Sequence, residues 1–247
     1  MATINTNVAA QVAANALAKN DRAMTQTMER LATGKRINSA SDDAAGLAIA
    51  SKLTSQVTGL NQAVRNGNDA ISMLQTADGA MIEVSNMLQR MRELSVQGGN
   101  GTLSTTDRAA LNTEFVALRT EIERIADNTQ WNGENLLDGS AGSFGLLTFQ
   151  VGYEADQTIT VNVGDLELAA GAVDYTAGTS AGGILGADLS AITITTVALS
   201  NTQVTALDVA IAGLDAKRSG IGATLNTLEF SVDSLANASQ NASASRS

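Results

Sequence analysis

Apolar residues recur along this chain in steps of three and four, and the recurrence breaks at a few short polar stretches. In the C-terminal third, Val204, Leu207, Ile211, Leu214, Ile221, Leu225, Leu228, Val232 and Leu235 hold the alternation, with Arg218 the one interruption. Such a seam predicts a long helix that packs against another helix. A second seam runs through Leu53, Val57, Leu60, Val64, Ile71, Leu74, Met81, Val84, Leu88 and Met91. Gly67 and Asp78 fall on its expected core positions, and its register slips near Ala77–Val84. Leu111, Phe115, Leu118, Ile122 and Ile125 form a short third seam; Val8, Val12, Leu17, Met24, Met28 and Leu31 form a weaker fourth.

The breaks carry stop and start chemistry. Gly34 stands where a helix end wants a residue tolerant of positive φ. Ser39 or Ser41 is the expected cap of the next helix, with Asp42 and Asp43 in its first turn. With no proline to kink it, that helix extends to Gly98-Gly99-Asn100-Gly101, a length of about 80 Å. Ser104 or Thr105 starts the third helix. Over 138–200 the period changes to two: Leu147, Phe149, Val151 and Tyr153 alternate, as do Ile159, Val161 and Val163, around a turn at Glu154–Gln157. A further short strand is expected at Ala191–Thr196, and 169–190 reads as loop.

The reading is therefore mainly α: long coiled-coil-like helices in a rod bundle, with a small region containing a β-hairpin. It divides into 1–33 (helix), 34–43 (linker), 44–137 (helical rod), 138–200 (β-rich) and 201–247 (helical rod). Composition narrows the chemistry. Aromatics are only 3% of the 247 residues, so alanine and aliphatic side chains must supply the burial, which suits closely approaching helices. A net charge of −10 opposes nucleic-acid binding. The absence of histidine and cysteine removes the commonest general base and the thiolate ligands, and the acids show no catalytic spacing. The expectation is no enzyme, no cofactor and no metal. No uninterrupted apolar run reaches membrane-spanning length, so no membrane insertion is expected.

The stretches INTNVAA (4–10), LATGKRINSASDDAAGLAIA (31–50), GLNQAVRNGNDAISMLQTADGAM (59–81), LQRMRELSVQ (88–97), NTQWNGENLLDG (128–139) and FQVG (149–152) resemble bacterial flagellin, in that family's order. Trp131 stands where the family commonly has phenylalanine. The resemblance implies a flagellin-like fold and a structural subunit that polymerises into the flagellar filament outside the cell. Export would run uncleaved through the flagellar type III secretion channel. In that frame 1–33 is the filament-core helix, with Val8, Val12, Leu17, Met24, Met28 and Leu31 as its core candidates, and 34–43 is the spoke. The region 140–200 implies a short form with a minimal central region.

Relatives continue beyond the segment corresponding to NASASRS with a C-terminal helix. The chain is expected to lack it and to stay unassembled alone, its first 33 residues becoming helical only against a partner. The resemblance also implies an export chaperone, cap and junction proteins, and a host Toll-like receptor as partners. Leu88, Gln89, Arg90, Glu93, Leu94, Gln97 and Glu114 are the candidates for the receptor or subunit interface; read alone, Arg90 and Glu93 are ordinary exposed charges. Sugar on Ser and Thr at 176–180 is also implied, whereas the sequons at Asn237 and Asn241 read as chance. Rival readings are a flagellin-like hook–filament junction protein, a helical surface adhesin, and a ligand-binding bundle, for which no phosphate loop is present.

Overall fold

The computed structural model describes residues 7–142, 145–164, 166 and 192–246. The element order is α1 (Val8–Thr33), α2 (Ala44–Gly98), α3 (Thr105–Asn128), β1 (Gln130–Trp131), β2 (Glu134–Asn135), β3 (Leu146–Gln150), β4 (Thr158–Asn162) and α4 (Val197–Arg246). The chain divides into two compact units, one of residues 1–58 and 238–247, the other of residues 59–237. The fold is mainly α, as the seams predict, with the hairpin that the alternation predicts and a second small antiparallel sheet. The loop at 169–190, its Ser/Thr cluster at 176–180 and Ala191 lie outside the described residues.

The core belongs to the second unit. Between Leu60 and Met91 the buried positions of α2 are Leu60, Ala63, Gly67, Ala70, Leu74, Ala77, Met81, Val84, Leu88 and Met91, an unbroken alternation of three and four. The slip expected near Ala77–Val84 does not occur. Val64 and Ile71 flank the seam, and small residues fill its centre. The reason is distance: a Cβ added to Gly67 would stand 2.5 Å from Val232 Cγ2 of α4. Asp78, expected at the core, sits one position off the seam and meets Arg218. On α4, Leu207, Ala210, Leu214, Ile221 and Leu228 are buried, while Val204 and Ile211 are flanks. Among the described residues α4 is the one helix long and apolar enough to cross a membrane by length and composition. The expectation counted only uninterrupted runs. These buried α4 residues are nonetheless spaced as a packing seam and belong to the core.

Phe115 and Ile122 of α3 complete the helical core. Ser104 caps α3 with a reciprocal box: its side chain accepts from Asp107 N, and its own N–H donates to Asp107. Arg108 is 8% exposed and donates to Gly98 O (3.0 Å) and Asn100 O (3.1 Å), satisfying carbonyls at the end of α2. The β3–β4 hairpin pairs Leu147 with Val161 and Phe149 with Ile159. It lies on α2 at Gly59, where a Cβ would come within 2.8 Å of Tyr153, and Asn66 Nδ2 donates to Gln150 O at 3.1 Å.

Two local readings need correction. Ile192 and Ile194 are buried, but 192–196 forms no strand; Ile194 N instead donates to the Asn112 side chain at 2.9 Å. The Asn112 contact replaces the neighbouring strand that a sheet would require. Conversely, β1–β2 forms a hairpin beyond those the alternation predicts. Asn132 (φ 51°) and Gly133 (φ 87°) supply the two left-handed residues of its tight turn, the strongest short-range hairpin signal in a sequence.

Candidate assembly and recognition surfaces

Helix α1 is defined by its ends. The Asn7 side chain accepts from Ala10 N at 3.1 Å, and Gly34, at φ 67°, returns its N–H to Arg30 O. These caps and the alanine-rich sequence hold a continuous helix within the chain alone, where the weak seam led to an expectation of helix only against a partner. None of its residues is buried. Val8, Val12, Leu17, Met24, Met28 and Leu31 are all exposed, Leu31 to 87%.

Residues 34–43 fold around Asp42. Its carboxylate accepts from Gln26 Nε2 of α1, from Asn38 N (3.2 Å), from Ser39 N (3.1 Å) and from Ser39 Oγ (3.2 Å). The Gln26 hydrogen bond, then the Ser39 and Asn38 amides, hold this carboxyl at about 2, below the ordinary 3.8. The cap of α2 is neither Ser39 nor Ser41: Asp43 Oδ1 takes the Gly46 N–H at 2.8 Å. An Asp three residues after a Ser has the spacing of a capping box, and Ser39 and Asp42 use it to close the loop rather than to begin the helix.

The second surface lies on α2 and α3. Arg90 donates from Nε to Glu114 Oε1 and from Nη1 to Glu93 Oε2, each at 2.9 Å. The Glu114 bond, then that of Glu93, raises the guanidinium further above its ordinary range. Gln89, Arg90, Glu93, Gln97 and Glu114 are exposed. Leu88 and Leu94 are fully buried, so in this chain they pack the core beneath that face. Arg92 reaches across to Asp208 of α4, a pairing that heptad counting could not reveal because both residues lie on outer positions.

Among the described residues no cluster of carboxylates could hold a metal ion. Fold and surfaces together define a helical protein organised for pairing helices, with one apolar seam left uncovered. The model of the N-terminal helical region of bacterial flagellin matches residues 4–142. Polar flagellin F of Vibrio parahaemolyticus is 50% identical over 161 residues, 65% of this chain and 42% of that protein. B-type flagellin of Pseudomonas aeruginosa is 47% identical over 161 residues, 65% of this chain and 32% of that one. The match thus spans less than half the length of either relative. The crystal structure of Bacillus cereus flagellin superposes with a TM-score of 0.56 at 32% identity, over 69% of this chain and 88% of that one. A proposed flagellar hook-associated protein from Vibrio parahaemolyticus shares the fold, with a TM-score of 0.65 at 18% identity over 84% of this chain and 99% of that one.

The chain belongs to the bacterial flagellin family, a family of structural proteins.

Proposed function

We propose that this chain is a structural subunit of a bacterial flagellar filament, polymerising with further copies outside the cell after export through the flagellar secretion channel. The observation that carries the reading is α1, a capped helix of 26 residues whose apolar seam has nothing over it. At about 25 cal/mol per Å² of apolar surface removed from water, covering that seam with neighbouring helices would drive association. The stretch between β4 and α4 fits a short form with a small central region. Export chaperone, cap and junction proteins are the partners this role requires. The exposed Arg90–Glu93–Glu114 face is the surface offered to a neighbouring subunit or to a host Toll-like receptor.

The test is expression of the chain, alone and fused to the C-terminal helix that its relatives carry, in a flagellated bacterium deprived of its own flagellin, with electron microscopy of the cell surface. Filaments labelled by an antibody to the chain are expected from the fusion. Val12→Asp and Leu31→Asp in the fusion should leave secreted, folded protein in the medium without filaments. Discrete particles from the fusion, or filaments built as readily by its Asp variants, would overturn the proposal. A hook–filament junction protein would instead give short caps on the hook; the 50% identity to a flagellin, against 18% to the hook-associated protein, favours the filament.

A further inference from the structure

Three Asn–Gly pairs occur in the chain: Asn66-Gly67, Asn100-Gly101 and Asn132-Gly133. In each, the glycine nitrogen lacks the steric cover that a following side chain gives, so intramolecular attack on the asparagine carboxamide is open in principle. The structure separates them. Asn66 lies in mid-helix. Its Oδ1 accepts from Gln62 and its Nδ2 donates to Gln150 O at 3.1 Å, while Gly67 is pressed against Val232. Ring closure there would have to break α2 and lift the hairpin. Asn132 is fixed at φ 51° in the turn that closes β1 onto β2, and closure there would have to undo both pairs of that ladder.

Asn100 is different. It lies beyond the end of α2, exposed, and Gly101 follows it in open space. The Thr102 N–H donates to Asn100 Oδ1 at 3.1 Å. That oxygen is the one on which negative charge develops when a nitrogen adds to Cγ, so the donor is already aimed where it would stabilise the addition. Beside it, the buried Arg108 guanidinium holds Asn100 O, placing a fixed positive charge next to any carboxylate formed at this residue.

From this geometry we infer that Asn100-Gly101 is a self-modification site, where deamidation converts the α2–α3 loop to an aspartate or isoaspartate form ahead of the other two pairs. Gly101 N, giving its proton to solvent hydroxide, bonds to Asn100 Cγ. The Cγ–Nδ2 bond breaks and ammonia leaves, giving a five-membered succinimide. Water then opens the ring. Cleavage of the bond to Cγ gives aspartate; cleavage of the main-chain bond gives isoaspartate. The sum is asparagine plus water giving aspartate plus ammonia, with no oxidant or cofactor. The aspartate product keeps the loop, paired with Arg108. The isoaspartate product lengthens the backbone between the Gln97 O and Leu103 N partners of Asn100 and loosens the junction.

The experiment is incubation of the full chain in mildly alkaline buffer, with peptide mass spectrometry reading the mass gain at each pair over time. Asn100 should convert several-fold faster than Asn132 or Asn66 in the folded protein. In urea, where the turn and the helix are gone, the three rates should converge. Gly101→Ala, which meets nothing within 4 Å, should fold normally and suppress the reaction at Asn100. Faster conversion at Asn132 or Asn66, the same ranking in the unfolded chain, or an undiminished rate in Gly101→Ala would each overturn the assignment.

Discussion

Arg218 Nε donates to Asp78 Oδ1 at 2.9 Å, joining the middle of α4 to the middle of α2 with both side chains 31% exposed. Arg218 interrupts the α4 seam and Asp78 lies one position beside the α2 seam, where the two charges meet. The pair is partly withdrawn from water, so removing one member leaves the other with part of its desolvation and no partner, a larger loss than at a fully exposed bridge. Asp78→Ala and Arg218→Ala should each lower unfolding free energy by about 1–3 kcal/mol, and the double variant by less than their sum. A double-mutant cycle in urea measures this; additive losses would show that the two charges act separately.

Glycine at 67 and glycine at 220 should respond oppositely to a methyl group. Both are helical, and alanine gains up to about 1 kcal/mol in helix propensity. At Gly220 the added carbon meets nothing, so Gly220→Ala should stabilise by about that amount. At Gly67 it strikes Val232, and overpacking of about 1–3 kcal/mol outweighs the gain. Val232→Ala should then be less harmful in the Gly67→Ala background than in the unaltered chain. Denaturant midpoints of the four variants decide the point.

The Asp42 hub makes the 34–43 loop acid-sensitive. Its carboxyl titrates at about 2 in the folded chain against 3.8 ordinarily, so the folded state prefers the ionised form. The stabilisation is therefore complete above the ordinary value and is lost as pH falls through about 2. Amide exchange at Asn38 and Ser39 should accelerate over that fall beyond the intrinsic rate. In Asp42→Asn the two amides should already be unprotected at neutral pH. Unchanged protection in the asparagine variant would remove the carboxylate from its role.

Arg90 should matter at the surface and not in the core. Its partners Glu93 and Glu114 share its exposed face, while Leu88 and Leu94 below do the packing. Arg90→Ala should leave the thermal midpoint near that of the parent, since exposed ion pairs contribute little. Reporter cells bearing the flagellin-sensing receptor should respond more weakly to it. Leu94→Ala should do the reverse and lower the midpoint markedly through a core cavity.

Much of this architecture can be read from spacing alone: the four helices, the existence of the β3–β4 hairpin, the αL stop at Gly34 and the start of α3 at Ser104 or Thr105 all follow from periodicity and cap chemistry. The hairpin's register does not: a turn confined to Glu154–Gln157 would carry the strand through Val151 and Tyr153, whereas β3 ends at Gln150, which pairs with Thr158. What spacing misjudged was which stripe is innermost on α2. Val64 and Ile71 are the larger and more apolar residues, yet Ala63, Gly67, Ala70 and Ala77 take the buried centre, and at Gly67 the reason is Val232 of α4, which leaves no room for a side chain. The Asp78–Arg218 pair was visible only as two separate faults, since nothing in one dimension says that they face each other. Helix dipoles favour Asp42 as a first-turn acid, but the neighbouring Asp43 holds the cap and leaves Asp42 to the loop. In the Arg90 set, the heptad pattern already placed Leu88 in the seam, whereas Leu94 needed α3 in position to be recognised as buried.

Helix α1 has its caps and its full length while hiding none of its apolar side chains. Whatever free energy those side chains can contribute is absent from the isolated chain and arises only when another surface meets them. Under mass action, such a helix has no single stability of its own: it grows firmer as the local density of partners rises. Where copies are sparse, as they would be during the proposed export, α1 would remain among the easiest parts to unravel. At a crowded growing end it would become one of the hardest, without any change in its sequence.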